Sequence, residues 1–310
     1  MPSPRVSFCG LALLGVIASA CGKKPDAAPA GAASAKPSPS AFKAAAPVAS
    51  GLPSMQELVS KVVNPENAPA YSGPTGSVRG VVTATGDQSP VATAHLAKIK
   101  PPCPEGRETY GHIFREGMMR SLADVLVAVT GYSGYVPAQE PKQTVGARGC
   151  AFSTRTVALT FGQTLDVVSK DNEGYAPNLL GSHMQAQLLA LPGGVPSTLY
   201  PPEPGHYLLT DDMKVFMLAD VFVLKYATHY VTSLDGRFEI KGIPVGKARI
   251  SALLPATQVV VEKEIEIKAG ETLDLPLQLK FDAKAYAATA AAGAAAAAAA
   301  EAAAPPTPKH

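Results

Sequence analysis

The sequence predicts an all-β protein built from two β-sandwiches, a larger one over residues 77–226 and a smaller one over residues 227–281. Three observations favour this class. Short runs of β-branched and aromatic residues recur with turns between them, and few segments show a helical period. In addition, Asp235-Gly236 separates two alternating runs, as in a β-hairpin.

The runs predicted as strands follow one another along most of the chain. In the larger sandwich they are 78–83, 122–130, 150–159, 165–168, 185–191, 205–209 and 218–226, and in the smaller one 230–232, 238–240, 247–254, 259–267 and 273–279. Residues 259–267 alternate Val or Ile with Glu or Lys, which predicts a strand with one wet face. We interpret Glu262, Glu264 and Glu266 as solvated groups on that face, not as a catalytic carboxylate pair.

Both ends of the chain differ in composition from the middle. Residues 21–76 predict a disordered linker, because they hold few large apolar side chains that could offset the entropy lost on folding. Ser54 and Glu57 form a capping box there and predict one short helix over 54–63. Residues 282–310 are rich in Ala and Pro, and we interpret them as a low-complexity extension without a fixed structure; a helical tail is the alternative.

Composition and motifs exclude several function classes. The net charge is +2 and only 17% of residues are charged, so no basic footprint for nucleic acid is present. The sequence contains no H-E-x-x-H, no G-x-S-x-G, no phosphate-binding loop and no Cys-x-x-Cys. We therefore predict that the protein is not an enzyme and carries no cofactor.

The first twenty residues have the pattern of an export signal. Arg5 precedes an apolar stretch over 6–17, which is too short to span a bilayer, and Ala18-Ser19-Ala20 supplies small residues for cleavage. The sequence therefore predicts a signal peptide over 1–20 and an exported protein.

Cys21 directly follows these small residues, and the arrangement resembles the lipobox of bacterial lipoproteins. The resemblance implies that the Cys21 thiol is acylated and that the membrane is a partner through this anchor. Ala18 departs from the Leu that the family prefers, so plain secretion stays the alternative. Gly22 lacks the Asp that retains the resembling enterobacterial lipoproteins at the inner membrane, which implies the outer membrane, facing the periplasm or the cell surface.

The four cysteines divide into two groups. Cys9 leaves with the signal peptide, and if Cys21 carries lipid, only Cys103 and Cys150 remain in an oxidising compartment. We predict that they form a disulfide, which would close a loop of about 48 residues and stabilise the fold by about 4 kcal/mol in the chain-entropy model. Two buried free thiols are the alternative.

Several stretches resemble exported plastocyanin-like proteins, in which a cupredoxin sandwich precedes a carboxypeptidase-regulatory-like domain. The similar stretches are 76–82, 122–127, 149–152, 161–168 and 170–171 for the first domain and 235–246 for the hairpin of the second. The resemblance implies a cupredoxin-like β-sandwich followed by a small regulatory-like β-sandwich.

The same resemblance implies where a copper site would lie. The family's C-x-x-H-x-x-M loop corresponds to Asp211, Lys214 and Met217, and residues 169–178 lack the first His. Three of the four ligands are therefore missing, so we expect no blue-copper site. An altered Cu(I) site is the alternative, for which the candidate ligands are His183, Met184, His206, Met213, Met217, Met118 and Met119; otherwise these methionines fill gaps in the core.

Together these features predict a cell-envelope lipoprotein that acts as a non-catalytic binding or structural module, with an envelope protein or a glycan as partner and no nucleic acid. A periplasmic copper-handling or electron-transfer protein is one alternative. A glycan- or wall-binding adhesin is the other, because the many tyrosines include some on predicted loops that could bind sugars.

Overall fold

The computed structural model describes residues 55–182 and 188–303. The helices are α1 (Met55–Val63), α2 (Thr93–Leu96), α3 (Pro104–Tyr110) and α4 (Ala283–Ala303), with a 3-10 turn at Met118–Arg120. The strands are β1 (Thr75–Gly86), β2 (Leu126–Thr130), β3 (Lys142–Arg148), β4 (Ala151–Phe152), β5 (Thr156–Thr160), β6 (Thr164–Ser169), β7 (Pro177–Leu180), β8 (Ser197–Leu199), β9 (Gly205–Asp211), β10 (Leu218–Leu224), β11 (His229–Val231), β12 (Arg237–Pro244), β13 (Gly246–Leu254), β14 (Val259–Ile267), β15 (Thr272–Asp274) and β16 (Leu277–Phe281). The predicted all-β class is confirmed.

The strands between residues 142 and 224 form one sandwich, which we call the medial sandwich. One of its sheets has the order β4-β3-β6-β8 and the other β5-β10-β9-β7. The two sheets bury a shared core because alternate apolar side chains of each strand point inward; its members include Val145, Leu159, Leu165, Val167, Leu209 and Val221. Val59, Val62 and Val63 of α1 pack against this core, and the predicted helix over 54–63 is present from Met55.

The remaining strands form a second sandwich, the flanking sandwich. In one sheet β1 pairs antiparallel with β12 and parallel with β15 and β16, and the other sheet has the order β11-β2-β13-β14. Its core includes Val78, Val82, Val127, Val129, Ile240, Ile250 and Leu279. At Gly80 the backbone of β1 lies close to Leu275, which follows β15. A Cβ at this position would overlap the carbonyl oxygen of Leu275, so a glycine is required here.

This strand pairing corrects the predicted domain boundary. The sequence predicted one sandwich over residues 77–226 and another over 227–281. In the structure, however, β1 and β2 pair with β12 and β13, which lie in residues 227–281. The chain therefore enters the flanking sandwich, leaves it to build the medial sandwich, and returns after residue 224. The boundary between residues 226 and 227 does not separate the two cores, because β1 and β2 precede it in sequence and yet belong to the flanking sandwich.

The predicted hairpin at Asp235-Gly236 is a turn but not a hairpin. Gly236 adopts a left-handed φ of 67°, as a tight turn requires. The strands on either side of it, however, enter different sheets, since β11 pairs with β2 and β12 pairs with β1. The hairpin in this region is instead β13–β14, which pairs Gly246 through Leu254 with Ile267 through Val259.

Other predicted strands are shorter or differ in place. The run at 122–130 is a strand only over Leu126–Thr130, and the run at 150–159 is divided between β4 and β5. Of the run at 185–191, Ala190 forms a single bridge with Tyr175, and residues 183–187 lie outside the described residues. The short strands β7 and β8, the strand β3 and the helix α3 were not predicted.

The Ala-rich tail is helical as far as the structure describes it, so the alternative interpretation applies to these residues. The Asp282 carboxylate accepts a hydrogen bond from the Ala285 amide (2.9 Å) and caps α4. The ring of Tyr286 packs 5.7 Å from that of Phe281. Because Ala has the highest helix propensity, this cap and one packed turn suffice to start a helix without an apolar stripe.

A buried carboxylate connects the two sandwiches. Asp124 precedes β2 with a left-handed φ of 63° and is 4% exposed. It accepts two hydrogen bonds from the Arg115 guanidinium (2.6 and 2.7 Å). It also accepts hydrogen bonds from the Thr154 hydroxyl (3.0 Å) and the Arg155 amide (2.8 Å), which belong to the β4–β5 connection of the medial sandwich.

Candidate functional site

The three positions that match the copper loop lie together at one end of the medial sandwich. Asp211 is the last residue of β9, and Lys214 and Met217 lie in the turn that leads to β10. Tyr175 faces them from the segment before β7, where the sequence analysis found no histidine. The structure therefore brings the candidate positions together, and their contacts decide whether they can hold a metal.

Asp211 is committed to the backbone of this turn. Its side chain is buried and accepts hydrogen bonds from the amides of Ala176 (2.7 Å), Met213 (3.0 Å) and Lys214 (2.7 Å). These bonds hold the β9–β10 turn against the segment that enters β7. Asp211 thus acts as a structural cap, because both of its oxygens already accept strong donors.

Lys214 lies close in sequence to Asp211 and Asp212, but its ammonium group pairs with neither carboxylate. Its ammonium group pairs with Glu173 (3.0 Å), donates to the Gly174 carbonyl (3.2 Å) and lies 4.3 Å from the centre of the Tyr175 ring. The side chain is 16% exposed, so this cation–π contact forms in a largely desolvated place. At the position where the resembling family has an imidazole, this chain therefore has a protonated amine, which cannot coordinate metal.

A second carboxylate ties this end to the disulfide. Asp171 accepts hydrogen bonds from the Gly149 amide (2.7 Å) and the Tyr175 hydroxyl (2.7 Å), and the Tyr175 oxygen accepts one from the Cys150 amide (3.4 Å). Burial alone would raise the pKa of Asp171, but these donors outweigh it and lower the pKa. Burial and the neighbouring Asp171 raise the pKa of Tyr175, so the phenol stays protonated as a donor.

The predicted disulfide is present in the structure. The sulfur atoms of Cys103 and Cys150 are bonded, and they join the start of α3 to the turn before β4. Cys21, the predicted lipidation residue, lies outside the described residues, as does the signal peptide over 1–20.

The donor set at this end does not fit a blue-copper ion. Both cysteines in the described residues form the disulfide, so no thiolate is available there, and the Asp211 carboxylate and the Lys214 ammonium are occupied by protein contacts. Met217 is fully buried in the core, where it fills space between the sheets.

The alternative Cu(I) ligands do not converge in the part of the chain that the structure describes. His206 hydrogen bonds Asp220 (2.8 Å) and stacks on Phe222. Met118 and Met119 lie in the exposed 3-10 turn. His183 and Met184 lie outside the described residues. Across residues 55–182 and 188–303, no group of three or more His, Cys, Asp or Glu is arranged to hold a metal ion.

Exposed apolar side chains surround this polar network, and we call them the apolar rim: Leu189, Leu191, Met213 and Val215. The two leucines lie beside Gly174, whose carbonyl binds Lys214, and Met213 and Val215 flank that lysine. Met213 is 63% and Val215 is 72% exposed. Several large apolar side chains at one end of a sandwich indicate a contact surface more than single exposed residues do.

A cleft of about 390 Å³ lies near the C-terminal end of α1, away from the copper-loop positions. We call it the tyrosine cleft, because Tyr132, Tyr135 and Tyr226 line it opposite Val62, Val63 and Glu66. These tyrosines could not be grouped from the sequence, because the residues at 62–66, 132–135 and 226 are far apart in the chain. The signal for the cleft was the density of Tyr around 132–135.

The glutamates of β14 lie on a solvated face of the strand, as predicted from the sequence. Glu262, Glu264 and Glu266 are exposed, and in the register of the sheet they lie across from Ser251, Arg249 and Lys247 of β13. Arg249 approaches Glu262 to 3.9 Å. These pairs form a solvated face.

Comparison with known proteins gives partial likenesses only. No protein-family model matches the chain, and no curated protein matches it. Amicyanin from Paracoccus versutus is similar to 32% of this chain over 97% of its own length, with 18% identity and a TM-score of 0.25. A pseudoazurin from Sinorhizobium meliltoi is similar over 28% of this chain and 76% of its own, with 19% identity and a TM-score of 0.23.

The copper-containing nitrite reductase from Thermus scotoductus SA-01 is also similar in part. It overlaps 31% of this chain with 14% identity and a TM-score of 0.24, and this chain spans only about a quarter of its length (25%). At these scores the likenesses assign neither a family nor an activity. What the structure defines is the class: an all-β protein of two interleaved sandwiches with one disulfide within the described residues.

Proposed function

We propose that this chain is a non-catalytic binding module of the cell envelope, whose cupredoxin-like sandwich has replaced copper with a structural polar network. One observation carries the proposal: Asp211 and Lys214, the residues that match two ligand positions of the resembling family, are both committed to protein contacts. The side chains of the apolar rim are exposed at the same end of the medial sandwich and leave an apolar surface open to a partner. The resemblance of several sequence stretches to exported plastocyanin-like proteins supports the cupredoxin assignment.

A structural use of the polar groups also supports the non-catalytic role. Within residues 55–182 and 188–303, every buried side-chain nitrogen and oxygen has a hydrogen-bond partner. Catalytic groups need lone pairs or protons that face a substrate. In the network around Asp171 and Asp211, the carboxylate lone pairs already accept hydrogen bonds from the protein.

Metal content tests the loss of copper directly. We expect the purified full chain to lack stoichiometric copper and to show no intense blue band after copper is added, because that band needs a Cys thiolate bound to Cu(II). Stoichiometric copper with such a band would overturn the proposal and favour the copper-handling alternative.

We propose that the apolar rim binds an envelope protein. A photo-crosslinking residue placed at Leu191 or Val215 should give an adduct with the same protein in cells, while the same residue at the exposed Lys280 of β16 should give none. Val215→Asp should weaken the adduct formed at Leu191, because a charge at the rim must be desolvated on binding. Equal adducts at all three positions, or none at either rim position, would contradict a specific docking surface.

We further propose that the protein is exported and anchored by lipid at Cys21, with the outer membrane as its location. The apolar stretch over 6–17 and the small residues before Cys21 support this. No helix within the described ranges is long and apolar enough to cross a membrane.

Labelling in cells tests the anchor. Labelled palmitate should enter the wild-type protein, and Cys21→Ala should abolish both the label and membrane association. Several acyl chains are expected, since a single chain gives only marginal binding. Wild-type protein in the soluble fraction without label would instead indicate plain secretion.

A further inference from the structure

A cleft of about 520 Å³ is lined by residues of β3 and β5 from the medial sandwich and of β11 from the flanking sandwich. We call it the edge cleft. β5 and β11 are the outermost strands of their sheets, and β4 pairs only with the far end of β3, at Ala147 and Arg148. The cleft is therefore bordered by strand edges, whose backbone groups can pair with an added strand.

The pairing of β11 with β2 shows which of its backbone groups point toward the cleft. In an antiparallel ladder, the backbone groups of successive residues point alternately to the two sides of the strand. The Thr228 carbonyl and the Thr232 amide are both hydrogen bonded to the β2 side. The even-numbered residues of β11 thus bond β2, and the odd-numbered residues point to the open side.

The open side of β11 carries two acceptors and two donors. In chain order they are the His229 carbonyl, the Val231 amide, the Val231 carbonyl and the Ser233 amide. Within residues 55–182 and 188–303 none of these four groups has a hydrogen-bond partner, whereas the His229 amide bonds the Ala227 carbonyl. An alternation of acceptors and donors along one strand edge is what an extended chain binds in strand addition.

The opposite wall presents a second open edge, on β5. The parallel ladder with β10 uses the backbone groups of the odd-numbered residues of β5. Of the even-numbered ones, Thr156 bonds the Thr154 hydroxyl and Thr160 bonds Gln163. Ala158 is 6% exposed, and its amide and carbonyl have no partner among the described residues. Buried backbone groups without a partner are rare, so Ala158 marks a place where a ligand can bind.

The charges around the cleft favour an uncharged ligand. Arg115 is the one ionised side chain that lines it, and its guanidinium is already bonded to Asp124 (2.6 and 2.7 Å). Burial lowers the pKa of His229 to about 4, so this ring is neutral at pH 7. A charged side chain bound here would lose its water without gaining a counter-ion. The Gln143 amide and the Thr144 hydroxyl can instead bond a polar, uncharged one.

The length of the open edge sets the size of the ligand. The span from His229 to Ser233 corresponds to about 13 Å at the rise of a β-strand, which is about five residues of an added strand. We propose that an uncharged, extended segment of a partner protein binds in the edge cleft and adds a strand to β11. The sheet β11-β2-β13-β14 would then have five strands. This inference does not depend on the lipid anchor or on the apolar rim.

A phage-displayed library of uncharged heptapeptides, selected on the purified full chain, supplies the probes, and fluorescence anisotropy measures their affinity. Val231→Pro is the decisive variant, because it removes the outward amide and keeps Tyr230 and Thr232, which bond β2. Proline is tolerated on the open side of an edge strand. We expect selected peptides to bind this variant about tenfold more weakly than wild type, since a backbone hydrogen bond is lost.

Matched controls separate strand addition from other effects. Val231→Thr keeps the amide and the β-branched shape, so it should bind the peptides like wild type. Circular dichroism and the thermal midpoint confirm that both variants fold.

Two measurements on the wild-type protein decide the question even if Val231→Pro does not fold. Peptides N-methylated at alternate amides should lose binding in one alternation and keep it in the other, because only every second amide faces β11. Hydrogen exchange at the amides of Val231 and Ser233 should slow when a peptide is bound.

Three results would overturn the proposal. The first is a selection that yields no peptide whose binding depends on the outward amide, by Val231→Pro or by hydrogen exchange. The second is an equal loss of binding from N-methylation in both alternations. The third is slowed exchange at Val231 and Ser233 with an N-acetylglucosamine oligosaccharide but with no peptide, which would identify the edge cleft as a sugar site.

Discussion

Among the described residues two Arg–Asp pairs are bidentate and differ in burial, and substituting the aspartate of each tests how much the buried pair contributes to holding the two sandwiches together. Arg115–Asp124 is buried, with side-chain exposures of 16% and 6%, and Arg79–Asp274 is open to solvent. The shortest distances are the same, at 2.6 Å. The two aspartates differ in burial, and Asp124 also accepts hydrogen bonds from Thr154 and Arg155, so Asp274→Asn serves as the exposed control for Asp124→Asn.

Asp124→Asn keeps the shape of the side chain and tolerates the left-handed backbone, but it removes the charge that balances Arg115. Removing one partner of a buried pair costs about 3–5 kcal/mol. We expect about 3 kcal/mol, because Arg115 retains some exposure and the amide oxygen can still accept from Thr154. For a domain of this size that lowers the thermal midpoint by about 6–12 °C.

The assay is thermal unfolding by circular dichroism at pH 7, with urea unfolding for the free energy. Asp274→Asn should leave both unchanged, since an exposed pair contributes little. Adding Arg115→Met to Asp124→Asn should recover part of the loss, because the unpaired buried cation is then gone. An equal midpoint for Asp124→Asn and Asp274→Asn, or no recovery in the double variant, would refute the reasoning.

Three further predictions concern stability. Replacing Cys103 and Cys150 by Ala should lower the free energy of unfolding by about 4 kcal/mol, measured in urea against oxidised wild type; no change would show that the loop is constrained without the bond. Burial lowers the pKa of His229 to about 4, so the unfolded chain takes up a proton first and stability should fall between pH 6.5 and pH 4. His229→Gln should flatten this dependence in urea unfolding over that range, and an unaltered slope would exclude His229 as its source. Gly80→Ala should strongly destabilise the flanking sandwich, because its Cβ would meet the Leu275 carbonyl, and a midpoint equal to wild type would contradict that close approach.

The sequence predicted the class and most strands but not how they pair. Residues 264–267 alternate Glu with Ile after a run of valines, and the structure has β14 over the predicted residues 259–267. By contrast, β7 and β8 have four and three residues, too few for a period to be visible. The interleaving of the two cores escaped prediction because local patterns record burial and not the identity of a partner 150 residues away.

The candidate site shows the same limit. Matching to the copper loop placed Asp211, Lys214 and Met217 together correctly, because they are close in sequence. The true partners of Lys214 are Glu173 and Tyr175, about 40 residues earlier, and only the pairing of β7 with β9 brings them near. Proximity in sequence would favour the neighbouring Asp212 as the partner of Lys214, but the ion pair forms with Glu173.

The interleaved order of the strands has a consequence for biogenesis. β1 is complete at Gly86, yet its first antiparallel partner, β12, begins at Arg237. At about 5–20 residues per second, roughly 8–30 s pass between synthesis of the two, and during this time the twelve-residue strand lacks β12, β15 and β16. The medial sandwich can fold in that interval, which reduces the conformational search that remains before β1 meets β12. Nascent β1 is therefore the segment on which a holding chaperone would act.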